Sequence, residues 1–437
     1  MKECTICELM FIFVLMIAPA WCQDKPTSEQ DTTAKKLEEV ERKLMGYEEL
    51  ILWLQSTVKN LTQIKITGYI QAQARIAPDT IAGTNYQVGA YSGGAFPENT
   101  HKNFQLRRGR LKIKYKTDTT SAVFQLDIVP KGVSIKDAYL KFKDPWLKTF
   151  ALQAGVFDRP FGFEIGYSSS RRESPERSRI IQTLFPREKD LGIALDIVPD
   201  EILMPLLLTY FNIKAGVFSG NGIADESDDN LDIIGRFGFS FPILPLNLSI
   251  DGGFSGYYGK ITTRNDTVAI LEDGRWSKNA GYSNLDLDRQ YFGGDMQVYY
   301  NIPALGGFSL RGEVIGGQQP GRLTSSVSPK SSSAWKDIAY GRQFMGYYAM
   351  YIQNLGRFFQ FVAKYDFYDP NIGLKGNEIT STGDLAYKTL GGGVLYYWGA
   401  NLKFTAYYDY IMNEISRNVY TRDLKDNIFT FRIQYAF

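Results

Sequence analysis

From Lys65 to Phe437 the chain repeats with a period of two, and the connections between the repeating segments alternate between short and long. Side chains on a strand point by turns to opposite faces, so an apolar and a polar parity mean one greasy face and one wet face. The last eleven residues, NIFTFRIQYAF, are the clearest case. Phe429, Phe431, Ile433, Tyr435 and Phe437 share one parity, and Thr430, Arg432, Gln434 and Ala436 share the other. Chain termini usually fray, so a strand reaching the carboxylate has to be held by a neighbour.

Sixteen such segments are read, near 65–76, 105–116, 121–129, 133–143, 149–157, 190–198, 206–218, 231–241, 246–258, 289–301, 307–317, 342–353, 356–368, 387–398, 401–412 and 427–437. Most have the length of a tilted strand that crosses a bilayer. One set of connections is short (KTDTT, DPWLK, PDEILMP, PILP, IPALG, NLG, WGA). The other is long (77–104, 158–189, 219–230, 259–288, 318–341, 369–386, 413–426), with PKG near Pro130 as the exception. The expected fold is all-β: a sixteen-stranded antiparallel transmembrane β-barrel of the outer-membrane type, preceded by a short N-terminal coiled-coil helix. The last strand would pair with the first and leave no edge. A polar lumen face accounts for a mean hydropathy of only -0.23. A soluble propeller would repeat every 40–50 residues or so, and no such repeat is present.

Residues 1–22 read as a secretory signal peptide, with an apolar run at Leu9–Ala18 too short to span a bilayer. All three cysteines, Cys4, Cys7 and Cys22, lie in it. Residues 23–62 read as a periplasmic coiled-coil stalk. Leu37, Leu44, Ile51 and Val58 repeat every seven, with Val40, Tyr47, Leu54 and Leu61 three after each, which is the a/d pattern of a coiled coil. Residues 63–437 are read as the barrel, with the third extracellular loop, at about 158–189, expected to fold inward.

Two stretches carry chemistry. In QLRRGRLKIKYKT, Arg108, Arg110, Lys112, Lys114 and Lys116 share one parity, opposite Leu111, Ile113 and Tyr115. With the apolar parity on lipid, these cations form a ladder up the lumen wall, spaced about 6.6–6.8 Å apart. Such rows favour anions. Arg75, Asp127, Asp137 and Lys141 fall on the same wall, so the anion pathway is expected along Arg75, Arg108, Arg110, Lys112, Lys114, Asp127, Asp137 and Lys141. Arg107 falls on the lipid parity and is expected to point outward or lean back along the strand. The third loop, DRPFGFEIGYSSSRRESPERSRIIQTLFPREKD, adds Asp158, Arg159, Ser168, Ser169, Ser170, Arg171, Arg172 and Arg177. Arginine forks and serine hydroxyls suit tetrahedral oxyanions. Phe161, Phe163, Ile180, Ile181, Leu184 and Phe185 are anchors that a solvated loop would not need.

AGVFDRPFGFE (154–164), followed by YSSSRRESPERS and FPREKDLGI and preceded by RRGRLKIK, LDI and KDAYLKF, resembles the phosphate-selective porin O and P family. The layout matches over about residues 65–437 and is sharp over about 104–193. Asp158 departs from it, where the family often has Lys. The resemblance implies a homotrimeric sixteen-stranded barrel whose third loop folds inward and whose basic ladder guides phosphate-like anions.

The expected function is therefore an outer-membrane diffusion channel for small anions. The alternatives are a general non-selective porin and a structural anchor acting through the coiled coil. Membrane lipid, a homotrimer and, through the terminal Phe437, the outer-membrane insertion machinery are the expected partners. Net charge is only +2, which offers nothing to nucleic acid. Neither catalysis, a metal nor a cofactor is expected. The single histidine, His101, has no readable triad around it, and no nucleophile elbow occurs. The acidic run at 225–229 lacks EF-hand spacing. GRWSKN and SVSPKSSS read as exposed loops.

Overall fold

The structure is a computed structural model that describes residues 28–77, 88–97, 100–224, 229–281, 285–329, 336–424 and 426–437. The signal-peptide reading, its cysteines and all of the acidic run but Asp229 lie outside these residues. The chain divides at Thr62/Gln63 into two units. The first holds a helix, α1 (Ser28–Gln63). Its heptad residues Leu37, Val40, Leu44, Tyr47, Ile51, Leu54 and Val58 are all exposed, and so are Met45, Leu52 and Trp53 off the seam.

The second unit is a closed antiparallel barrel. In chain order its strands are β1 (Ile64–Ile76), β2 (Lys102–Lys116), β3 (Thr120–Val129), β4 (Gly132–Lys143), β5 (Phe150–Asp158), β6 (Lys189–Ile197), β7 (Phe211–Phe218), β8 (Asp232–Ile243) and β9 (Leu248–Thr263). After a loop hairpin, β10 (Thr267–Glu272) and β11 (Arg275–Ala280), come β12 (Leu285–Ile302), β13 (Gly306–Gly321), β14 (Ala339–Leu355), β15 (Phe359–Asp369), β16 (Tyr387–Trp398), β17 (Leu402–Asn413) and β18 (Ile428–Ala436). Each wall strand pairs with the next, β9 pairs with β12, and β18 returns to β1. All sixteen expected strands are present.

Pairing is what holds the chain end. Phe437 exchanges both backbone hydrogen bonds with Gly68, each 2.9 Å. Its ring lies over Gly68, where an added Cβ would come within 2.5 Å of the ring. Along β18, Ile428, Thr430, Arg432 and Gln434 are buried inward while Phe429, Phe431, Ile433 and Tyr435 face out. The alternation is thus a lumen/lipid alternation.

Wall height is uneven. β5 and β6 have 9 residues each and β7 has 8, whereas β12 has 18 and β14 has 17. At about 3.4 Å per residue the low wall is about 30 Å of chain and the tall wall nearly twice that. The strands β9, β12, β13 and β14 run further towards the long connections than the sequence pattern gives them. The pattern also starts β7 too early: Leu206–Thr209 form a helical turn after Pro205.

The 259–288 connection is not plain loop. β10 and β11 form a hairpin turned by Asp273 and Gly274, both at positive φ (48° and 72°). That Asp-Gly pair is the standard two-residue hairpin signal. Trp276, in the stretch read as exposed, packs edge-on against Tyr340 at 5.0 Å. With Leu271 it joins a roof cluster of Ala77, Val88, Phe96, Leu374, Ile379 and Leu385, built from the loops after β1 and β15. In SVSPKSSS, whose residues 330–333 lie outside the described ones, Ser328 is buried and its N–H donates to the Thr183 carbonyl at 2.9 Å.

Candidate functional site in the barrel lumen

The loop between β5 and β6 fills much of the lumen. Phe161, Ile165, Ile180, Ile181, Leu184 and Phe185 are buried against Phe157, Phe218, Tyr257, Tyr291, Ile315 and Phe344 of the wall. Ile180 to Leu184 sit on a short helix, α2 (Arg179–Leu184). Phe163 is only half-buried and stacks on Tyr167 at 5.1 Å. Burying a large apolar side chain is worth about 1.5–3 kcal/mol, so six anchors contribute on the order of 10 kcal/mol.

Its polar groups are fitted to the wall with equal care. The N–H of Gly162 donates to Ser255 Oγ (2.9 Å), and those of Phe163 and Glu164 donate to Glu313 (3.3 and 3.2 Å). Glu164 pairs with Lys364 (3.3 Å) and Glu173 with Arg311 (3.1 Å). Ser169 bonds Tyr69 through its hydroxyl (2.6 Å) and Gln71 through its carbonyl (3.1 Å). The Ser170 carbonyl accepts from Lys403 (2.7 Å) and Gln434 (3.0 Å).

The ladder is where loop and wall meet. Glu176 takes Arg107 (2.9 Å), Arg108 (2.7 Å) and Arg432 (2.8 Å) together. Glu188 sits among Arg110 (3.7 Å), Lys136 (3.6 Å) and Arg177 (3.7 Å). Burial alone would raise both loop carboxyls. The surrounding guanidiniums and ammonium outweigh it and hold each well below the usual carboxylate range.

Arg107 does not point outward. Gln71 pairs with Arg108 and Ala72 with Leu106, so Arg107 is the extra residue of a β-bulge and turns to Glu176. A second bulge makes Lys136 the extra residue between Ile135 and Asp137 and aims it at Glu188. No parity argument on a single strand finds these two cations, because each bulge resets the parity.

Below the loop, Lys112 pairs with Asp137 (3.3 Å), which also takes Lys189 (2.6 Å). Lys189 in turn meets Asp158 (2.8 Å), so the acid that departs from the family pattern has a lysine beside it. Lys141 pairs with Asp196 (2.5 Å) and Arg110 with Asp127 (3.5 Å). The picture changes at the short-turn end. Among the described residues no carboxylate lies within ion-pair distance of Lys65, Lys114 or Lys116. The charges that bear most on Lys114 are Lys116, Lys112, Lys141 and Lys65, all cations. Lys65 lies directly across from Lys114 in the β1–β2 register.

The remaining expected residues divide between support and lumen. Arg75 is buried and ties down the first long loop through the carbonyls of Ser92 (3.1 Å) and Gly94 (2.6 Å), with Phe96 against its guanidinium. Arg159 is locked to Asp190 at 2.8 Å. Arg172 is buried and donates to the Tyr167 carbonyl (3.2 Å). Arg177 holds the Glu164 and Ile165 carbonyls (2.9 and 2.8 Å). Ser168 and Arg171 are exposed and Ser170 half-buried, with the Ser168 and Ser170 hydroxyls 3.0 Å apart.

No family model matches the chain, and no curated protein matches it by sequence. Solved structures do match. The anion-selective porin of Comamonas acidovorans is 12% identical, covering 86% of this chain and 99% of that one at a TM-score of 0.51. The outer-membrane channel DcaP of Acinetobacter baumannii is 11% identical over 86% and 97%, also at 0.51. OprB of Pseudomonas putida is 11% identical over 88% and 97%, at 0.52. The barrel fold is that of outer-membrane porins.

Proposed function

We propose that the protein is an outer-membrane porin, a diffusion channel with a preference for small anions. The observation that carries the preference is the uncompensated cluster of Lys65, Lys114 and Lys116, joined by Lys112 and Lys141. Fixed charge of one sign in a channel with low-dielectric walls raises the local concentration of counter-ions. An anion entering past Ser168, Ser170 and Arg171 meets Lys112 and then Lys114, one same-face step of about 6.8 Å further down β2. Phosphate-like oxyanions are the proposed cargo. Serine hydroxyls beside an arginine fork suit them, and the resemblance over residues 104–193 points the same way.

A homotrimer is the proposed assembly: the resemblance implies three copies, and the seven seam side chains of α1 that are exposed in the single chain are ones that equivalent helices would cover. The stalk would lie in the periplasm, and Phe437 would present the terminal strand to the insertion machinery.

A general, weakly selective porin is the second reading. Loop carboxylates neutralise the upper ladder, and Asp137 and Asp196 pair with Lys112 and Lys141. The reversal potential of single channels in a KCl gradient decides between the two. A value near the chloride limit, with block by added phosphate, is expected. A value near zero or towards potassium would leave a general porin, and a failure to form channels would favour the anchor.

A further inference from the structure

Among the long loops, away from the basic wall, lies a chamber of about 310 Å³. This is at the lower end of small-molecule sites, about 300–1,000 Å³. Tyr91, Tyr368, Tyr387 and Tyr420 wall it, and Thr324, Ser325, Ser326 and Thr382 add hydroxyls. Arg179 enters from α2, with its guanidinium carbon 4.2 Å from the Tyr91 ring centre and 3.7 Å from that of Tyr387. Two rings hold the guanidinium in place, so its direction is set before any ligand arrives.

Tyr368 is only 2% exposed, and its hydroxyl closes no hydrogen bond among the described residues, although Ser326 stands beside it. A buried hydroxyl without a partner is penalised, and a ligand that supplies one removes the penalty. Tyr91 and Arg179 also line a neighbouring cell of about 30 Å³ that reaches Lys364 and Asp366. That cell has room for about one water.

We infer that this chamber captures a hydroxylated organic anion, a sugar ring bearing an acid group. The inference rests on the channel reading for its purpose but not for its chemistry. Arg179 takes the acid group. The ring of Tyr420 packs on the C–H face of the sugar, and the Tyr368 hydroxyl and the serine and threonine hydroxyls meet its hydroxyls. A flat aromatic anion suits the chamber less well. Arg179 already occupies ring faces of Tyr91 and Tyr387, and an aromatic ring offers the rim hydroxyls neither donor nor acceptor.

Titration calorimetry on the full chain in detergent, with glucose 6-phosphate, glucose, inorganic phosphate and benzoate as probes, tests this. Glucose 6-phosphate should bind at least about tenfold more tightly than the other three, a step of one decade in Kd. Arg179→Gln should erase that margin, and Tyr368→Phe, which removes one oxygen and keeps the ring, should cut it several-fold. Tyr368→Phe also keeps the test open if Arg179→Gln does not fold. Equal binding of inorganic phosphate, tighter binding of benzoate, no binding of glucose 6-phosphate, or indifference to Tyr368→Phe would each overturn the inference. The reversal potential separates the two failures. A potassium-side potential with sugar-phosphate binding intact sinks only the anion channel, and a chloride-side potential without that binding sinks only the capture site.

Discussion

The two halves of β2 are written in the same alphabet and end up doing different work. Towards the long loops, Arg107, Arg108 and Arg110 are claimed by Glu176 and Glu188 of the inserted loop. Towards the short turns, Lys114 and Lys116 have no carboxylate within ion-pair distance among the described residues. The upper cations fasten a loop, and under the proposed function the lower ones meet the solute. A basic ladder in a sequence therefore marks a wall, and the acids that reach it decide which rungs stay available.

The largest expected effect tests the lower half. Charge reversal at Lys65, Lys114 and Lys116 to Glu should move the reversal potential from the chloride side to the potassium side, with the barrel still folded and heat-modifiable on gels. An unchanged potential would mean that these lysines do not set selectivity.

Next comes the upper half. Glu176→Gln leaves Arg107, Arg108 and Arg432 without their shared carboxylate. Removing one partner of a buried ion pair costs about 3–5 kcal/mol, so the denaturant midpoint should fall and single-channel conductance should rise as the loop loosens. If conductance stays the same and selectivity changes instead, Glu176 belongs to the pathway and not to the fastening.

Gly162→Ala attacks the fastening from the opposite wall. Gly162 has φ +59°, and a Cβ there would lie 1.7 Å from Glu313 Oε1. Strain at such a position costs of order 1–3 kcal/mol, and noisier, larger conductance is the expected readout.

The smallest effect is one of pH. Glu176 and Glu188 titrate well below an unfolded glutamate, whose pKa is about 4.3. Their contribution is complete above that value and is lost as pH falls through the lower folded value. Conductance should be flat from neutral pH to about pH 5 and should climb only in stronger acid. A climb centred near neutrality would assign the fastening to other groups.

Much of this molecule is legible along the chain. The strand alternation, the short and long connections and the apolar anchors Phe161, Ile180, Ile181, Leu184 and Phe185 all follow from local periodicity and composition, and each is present in the fold. The inward turn of Arg107 and Lys136 is not legible, because a bulge is defined by the neighbouring strand's register and not by the strand that carries it. The β10–β11 hairpin is marked in the chain by Asp273-Gly274.

The sequence by itself determined that a wet and a greasy face alternate around a closed sheet, since side-chain direction on a strand is a local property. Only the tertiary structure decided which charges remain available in the lumen. Glu176 and Arg432 are 256 residues apart, and Glu164 and Lys364 are 200 apart. Pairings of that range are made by barrel closure and loop insertion together, and no window on the chain contains both partners.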